Sequence, residues 1–167
     1  MAPTAVFVGA PGAGKTTLGQ AVARLLGVPF ADSDAIIEER AGKPIPEIFF
    51  DDGEDAFRAL ERSTISSALA GFDGILALGG GAILDAGTRE SLAGHTVVYL
   101  SVELSDAVKR VGLGAGRPLL SVNPRATLKY LLDQRKPLYA AVAAHTVSTD
   151  GREVREIADE IAALLKA

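Results

Sequence analysis

Short apolar runs recur along the chain at Thr4–Val8, Val28–Ala31, Ile75–Leu78, Thr96–Leu100 and Thr146–Ser148. They lack the strict polar alternation of a half-exposed sheet, which predicts strands buried on both faces. Between them lie stretches of helical spacing. Thr17–Leu26 places Leu18, Val22, Leu25 and Leu26 on one side, and another helix runs through Ile36, Ile37 and Arg40. Pro44–Phe50 and Gly53–Ala70 read as a short helix and a long one, and Arg125–Ala144 as a helix interrupted at Pro137. Gly27, Gly42, Gly71 and Gly94 stand where left-handed C-caps are expected. Strands alternating with helices predict an α/β fold, a parallel sheet covered on both faces. In such sheets ligands collect at the carboxyl ends of the strands, so the residues just after each strand carry the functional argument.

Length and composition narrow this only by exclusion. A chain of 167 residues is read as one domain, 1–167, long enough to bury a continuous core. Its 48% hydrophobic content argues for a compact protein, and no apolar run approaches the ~20 residues a membrane span needs. The N-terminus has no charged n-region and enters a strand by Thr4, so no signal peptide is expected. The absence of cysteine removes disulfides and thiolate metal sites, and a cytoplasmic location is expected. No membrane partner is therefore expected, and the net charge of −4, with no basic block, predicts no nucleic-acid partner. An anionic substrate would then have to be held by individually placed arginines.

The strongest motif follows the first strand. Gly9-Ala10-Pro11-Gly12-Ala13-Gly14-Lys15-Thr16-Thr17 fits G-x-x-x-x-G-K-[ST], between a strand and a helix as that motif requires. Glycines let successive backbone N–H groups turn onto an anion, and the helix opening near Lys15 adds the positive end of its dipole. Gly12, Ala13, Gly14, Lys15, Thr16 and Thr17 are therefore candidate phosphate ligands. Lys15 would reach the β- and γ-phosphates, and the Thr16 hydroxyl would ligate Mg²⁺.

Other strand exits supply further candidates. Asp32-Ser33-Asp34 follows the second strand, with its carboxylates on one side and Ser33 pointing elsewhere. One carboxylate could hold Mg²⁺ through water while the other takes a proton from a substrate hydroxyl; alternatively Ser33 or Asp34 only caps the next helix. Ile75–Leu78 runs into Gly79-Gly80-Gly81, a turn whose backbone a ligand can approach closely. From pattern alone Arg58 reads first as a solvated residue paired with Glu54, and second as a fork for a carboxylate beside Phe57. The glycine-rich segment 111–124, with Arg117 as its one charge, suits a lid over a phosphoryl-transfer site. Pattern leaves Arg135 and Lys136 undecided. His95 and His145 read as structural.

Together these motifs resemble the shikimate kinase family, within the nucleoside-monophosphate-kinase-like P-loop kinases. The resemblance runs from Ala2 to about Ala163 and rests on GAPGAGKTT at 9–17, DSD at 32–34, FFDDGEDAFRALE at 49–61, LGGGA at 78–82, RPLL at 117–120 and RKPLY at 135–139. It implies a three-layer α/β/α fold with sheet order 2-3-1-4-5, a substrate-binding region at about 32–61 and a lid at about 112–124. The implied activity is ATP- and Mg²⁺-dependent phosphorylation of the 3-hydroxyl of shikimate, by a monomer. By position, Asp34 would bind ring hydroxyls and act as base. Arg58 and Arg135 would grip the carboxylate, with Gly79, Gly80 and Gly81 lining the pocket and Phe49, Phe57 and Glu61 shaping it. Lys15 and Arg117 would stabilise the transferring phosphoryl group, Thr16 and Asp32 would hold Mg²⁺, and Arg110 would stack on adenine.

Two features depart from the family pattern. The proline often found after the last strand, near adenine, is missing from Thr149-Asp150-Gly151-Arg152-Glu153, leaving Arg152 as the substitute contact. The lid stretch Gly112–Gly116 carries no charge. A gluconate-type or nucleoside-monophosphate kinase would share the phosphate loop but not the DSD, GGG and RPLL set. A GTP-dependent switch would be expected to carry an N-K-x-D motif, which does not occur in the chain.

Overall fold

The computed structural model describes residues 3–10, 13–102 and 124–166. In chain order these form β1 (Ala5–Val8), α1 (Lys15–Leu26), β2 (Phe30–Asp32), α2 (Ser33–Ala41), α3 (Ile45–Asp52), α4 (Glu54–Gly71) and β3 (Ile75–Ala77). A 3₁₀ turn at Ala82–Leu84 leads to α5 (Ala86–Ser91), β4 (Val97–Ser101), α6 (Pro124–Val142), β5 (His145–Ser148) and α7 (Val154–Lys166). Gly12, Arg110, Arg117 and nearly all of the 112–124 segment lie outside the described residues.

The sheet is parallel throughout, in the order β2-β3-β1-β4-β5. Alternation along its strands divides the core into two layers. Phe7, Ile75, Ala77, Val98 and Leu100 face α1 and α7, against Leu18, Val22, Ile157 and Ile161. Val6, Val8, Leu76, Val97 and Tyr99 face the other way, against Ile65 and Leu69 of α4 and Tyr139 of α6. A third, smaller cluster of Ile37, Ile48 and Phe57 ties α2, α3 and α4 together beside the sheet. Burial of both faces of β1, β3 and β4 explains why they read as apolar runs. The edge strands depart from that expectation: β2 is half-buried and β5 exposes Thr146 and Ser148.

Several boundaries differ from the sequence reading. β2 begins at Phe30 because the Val28 N–H still bonds Ala23 to close α1, and Pro29 has no N–H to give a ladder. Gly71 ends α4 inside the helix, and extended Phe72 is its cap, whereas Gly27, Gly42 and Gly94 all have positive φ as expected. Pro137 does not interrupt α6. The proline removes one N–H, yet Leu138, Tyr139 and Val142 anchor the following turn on the sheet. Finally, Asp34 does not share a strand exit with Asp32. β2 stops at Asp32, which caps α2 by accepting the Asp34 N–H at 2.9 Å, so Asp34 sits in the first helical turn.

Candidate active site

The phosphate loop joins β1 to α1. Gly14 takes φ 89°, a left-handed conformation that opens α1 at Lys15. Gly9 packs so closely on the Leu100 carbonyl that a methyl there would stand 2.7 Å from its oxygen. The Lys15 ammonium turns back over the loop and donates to the carbonyls of Gly9 at 2.7 Å and Ala10 at 3.1 Å. Thr16 donates its hydroxyl to Asp32 Oδ2 at 2.8 Å, which brings the ends of β1 and β2 together. A hydroxyl and a carboxylate meeting beside a phosphate loop are hard oxygen donors of the kind Mg²⁺ selects.

A second group of residues gathers around Gly79–Gly81 at the end of β3. Ser33, fully buried, accepts the Gly79 N–H at 3.0 Å. The Asp34 carboxylate presses on the same residue: a methyl at Gly79 would lie 2.5 Å from Asp34 Oδ1. Two residues on, a methyl at Gly81 would lie 2.5 Å from Arg58 Nη2 and 2.7 Å from Nη1. The triglycine therefore leaves room for a carboxylate and a guanidinium, on successive sides of one turn.

Arg58 projects from α4 with its guanidinium 5.2 Å from the centre of the Phe57 ring, which packs on Phe49 at 4.7 Å. It bonds Glu61 Oε1 at 2.8 Å and stands 3.8 Å from Glu54, so the pairing expected from spacing also forms. Glu61 is buried, with 3% of its surface exposed. Burial pushes its carboxyl up from the ordinary range, the Arg58 bond and charge oppose that, and Asp34 raises it further. The positive charge of Arg135, across on α6, also acts on Glu61. Arg135 is itself buried, and its Nε has no hydrogen-bond partner among the described residues. A buried, unsatisfied guanidinium nitrogen is costly unless something binds it.

The structure thus brings Asp34, Arg58, Glu61, Gly79, Gly81 and Arg135 into one neighbourhood, with Phe49 and Phe57 behind Arg58. Lys15, Thr16 and Asp32 gather at the phosphate loop, where Ala13 is buried and Gly14 begins the helix. Arg152 is held elsewhere. Its guanidinium bonds the Ser148 carbonyl at 2.9 Å, Glu160 at 2.7 Å and Glu156 at 3.2 Å along α7. Two residues were not singled out by the sequence reading. In sequence Ser33 reads as pointing away from the carboxylates, and Tyr139 stands out only as the end of RKPLY. Tyr139 donates its hydroxyl to the Gly80 carbonyl at 2.5 Å and stacks on Tyr99 at 5.1 Å. The signal that finds it is its place one helical turn after Arg135, on the same face.

Comparison with known proteins bears directly on this arrangement. The family model described as shikimate kinase matches residues 11–166. Shikimate kinase of Salinispora arenicola is 67% identical over 167 residues, covering 100% of both chains. Shikimate kinase of Thermobifida fusca is 58% identical over 165 residues, covering 99% of this chain and 96% of its own. A solved structure, shikimate kinase from Acinetobacter baumannii in complex with shikimate, superposes with a TM-score of 0.93 at 40% identity, over 99% of this chain and 93% of that one. With motif set, sheet order and near full-length similarity all agreeing, this chain belongs to the shikimate kinase family.

Proposed function

We propose that the chain transfers the γ-phosphoryl group of ATP to the 3-hydroxyl of shikimate, giving shikimate 3-phosphate and ADP. The observation that carries the reading is the juxtaposition of Asp34, Arg58 and Arg135 around the Gly79–Gly81 turn, next to a phosphate loop joined to it through Asp32-Ser33-Asp34. Shikimate is a small polyhydroxylated carboxylate. Its anion asks for guanidinium forks, and its reacting hydroxyl asks for a proton acceptor. Arg58 and the unsatisfied Nε of Arg135 suit the first need, and Asp34 suits the second.

In the reaction the substrate oxygen attacks the γ-phosphorus, the bridging bond to ADP breaks, and the hydroxyl proton passes to Asp34. Little covalent work falls to the protein, which positions the two substrates and neutralises charge. Lys15, freed from the Gly9 and Ala10 carbonyls by incoming phosphate, stays within the same loop to meet the transferred group. Ala13, Gly14 and Thr17 would offer backbone donors there, and Gly12, outside the described residues, is assigned with them by the motif. Thr16 and Asp32 would hold Mg²⁺, which when bound neutralises phosphate charge and aligns the donor. Arg117 and Arg110 lie outside the described residues; Arg117 is assigned to the phosphoryl group as the one charge of the glycine-rich segment and by resemblance, and Arg110 to adenine by resemblance alone. Arg152 would reach adenine only by leaving Glu156 and Glu160.

Among the described residues no helix is long and apolar enough to cross a membrane. We place the enzyme in the cytoplasm as a monomer. A coupled ADP-release assay with shikimate, quinate, gluconate and AMP tests the acceptor. Turnover with shikimate foremost is expected, and turnover with gluconate but not shikimate would transfer the assignment to a gluconate-type kinase.

A further inference from the structure

The glycine turn is held from both sides by hydroxyl groups that take no part in the chemistry above. Ser33, with no exposed surface, accepts the Gly79 N–H at 3.0 Å from the first turn of α2. Tyr139, with 1% of its surface exposed, donates to the Gly80 carbonyl at 2.5 Å from α6. The two bonds fix consecutive residues of a turn from opposite elements. Between and beside these anchors the turn meets the Asp34 carboxylate at Gly79 and the Arg58 guanidinium at Gly81. A triglycine is the most deformable backbone a chain can offer. Left to itself, it would let the proton acceptor and the carboxylate fork drift relative to one another. We propose that Ser33 and Tyr139 are positioning residues, which clamp the Gly79–Gly81 turn and so set the spacing between the Asp34 and Arg58 sides of the acceptor pocket.

Two features suit Tyr139 to this role. Its ring is fixed by stacking on Tyr99, at 5.1 Å and 27°, so the hydroxyl has little freedom to wander. Burial also raises its pKa to about 12 against the opposing effect of Arg135, so the donor keeps its proton at any working pH. Arg135 and Tyr139 lie one turn apart on α6, so the same helix that carries a carboxylate ligand also carries the clamp. Ser33 has the matching position on α2, between the residue bonded to Thr16 and the residue pressed on Gly79.

The inference rests on shikimate as acceptor, and the wild-type enzyme tests that first. Absence of wild-type turnover with shikimate would defeat the functional reading and leave the variants without a pocket to report on. With that turnover established, Tyr139→Phe and Ser33→Ala are measured for KM of shikimate, KM of ATP, kcat and thermal melting. Each is expected to raise the shikimate KM about five- to tenfold, the effect of one lost hydrogen bond, with the ATP KM within about twofold. Ser33→Thr, which keeps the hydroxyl, is expected to recover most of the loss. The double variant should fall short of the product of the single effects, because both bonds restrain one turn. A lower melting temperature with unchanged shikimate KM would make the hydroxyls merely structural and overturn the proposal. So would equal losses for both substrates, failure of Ser33→Thr to recover, or loss of the folded state in both hydroxyl deletions.

Discussion

Gly79→Ala isolates the placement of Asp34. Neither Gly79 nor Gly81 has positive φ, so the backbone accepts alanine at both and only the space beyond Cα objects. At position 79 the new methyl would stand 2.5 Å from Asp34 Oδ1 and 3.2 Å from Oδ2. Ordinary contact begins at 3.4 Å, so the nearer oxygen must retreat by about 0.9 Å. Asp34 is poorly able to absorb this along its backbone, because its N–H is bonded to the Asp32 cap at 2.9 Å. The carboxylate must rotate off its place instead. A misplacement of ~1 Å at a reacting group costs about a hundredfold in rate, and a general base contributes about 10²–10⁴-fold. We expect kcat with shikimate to fall about a hundredfold, about 2.7 kcal/mol of barrier, with the ATP KM within about twofold. Gly81→Ala, whose methyl meets Arg58 instead, should act chiefly on the shikimate KM. Steady-state kinetics on melting-checked protein decide it. A Gly79→Ala enzyme with kcat near wild type would show that Asp34 is not the proton acceptor, or that its place does not matter.

Other residues give independent tests. Asp85 caps α5 through Thr88 and bonds Arg62, and chiefly the Arg62 bond brings its carboxyl down to about 2. A lowered carboxyl pKa stabilises the fold above the unfolded value of 3.8, and that stability is lost as pH falls toward 2. Asp85→Ala should therefore lower thermal stability by about 1 kcal/mol at neutral pH, with the difference from wild type shrinking below pH 4 in melting curves. Glu61 shows the opposite sign, since burial raises its carboxyl. Its ionised form opposes folding, so stability is lost as pH rises above its ordinary 4.5. Glu61→Gln should remove that decline while weakening shikimate binding about tenfold, through the loss of a charge-assisted bond to Arg58. Thr16→Val should raise the Mg²⁺ concentration for half-maximal rate while Thr16→Ser should not, and chelation with EDTA should abolish turnover in both wild type and variants. An unchanged Mg²⁺ requirement in Thr16→Val would remove the hydroxyl from the metal site.

How much was legible depended on whether a signal was local. The phosphate loop was, because Gly14, Lys15 and Thr16 act within one turn of the strand that precedes them. The central strands β1, β3 and β4 were legible as apolar runs because they are buried on both faces, whereas edge strands β2 and β5 are half-buried and partly exposed. Arg58 was not: Glu54 at i−4 made it look like a surface pair, and that pair does form, at 3.8 Å. What pattern could not supply was Gly81, distant in sequence, pressed against the same guanidinium. Only resemblance moved Arg58 toward the substrate. Pro137 misled for the converse reason. The local rule that proline breaks a helix was overridden by packing of Leu138, Tyr139 and Val142 on the sheet. Ser33 and Tyr139 act across 46 and 59 residues of chain, and no spacing rule reaches that far.

The tripeptide Asp32-Ser33-Asp34 shows why donor and acceptor sites keep a fixed relation. Asp32 accepts the Thr16 hydroxyl on the phosphate-loop side. Ser33, next in the chain, accepts the Gly79 N–H at the glycine turn. Asp34 presses on Gly79 from within the acceptor pocket. The change from strand to helix at Asp32 makes this possible. In a continuing strand, Asp32 and Asp34 would point the same way and Ser33 the opposite way. Here Asp32 remains extended as the helix cap while Ser33 and Asp34 already turn with α2. Consecutive side chains therefore fan out over the ends of β1, β2 and β3, the loops where an α/β sheet binds its ligands. Phosphoryl transfer needs the attacking oxygen and the γ-phosphorus held in line, to a fraction of an ångström. With the roles proposed for Asp32 and Asp34, three successive α-carbons would carry the metal-side carboxylate, the turn anchor and the proton acceptor, tying that alignment to covalent geometry rather than to the docking of separate elements.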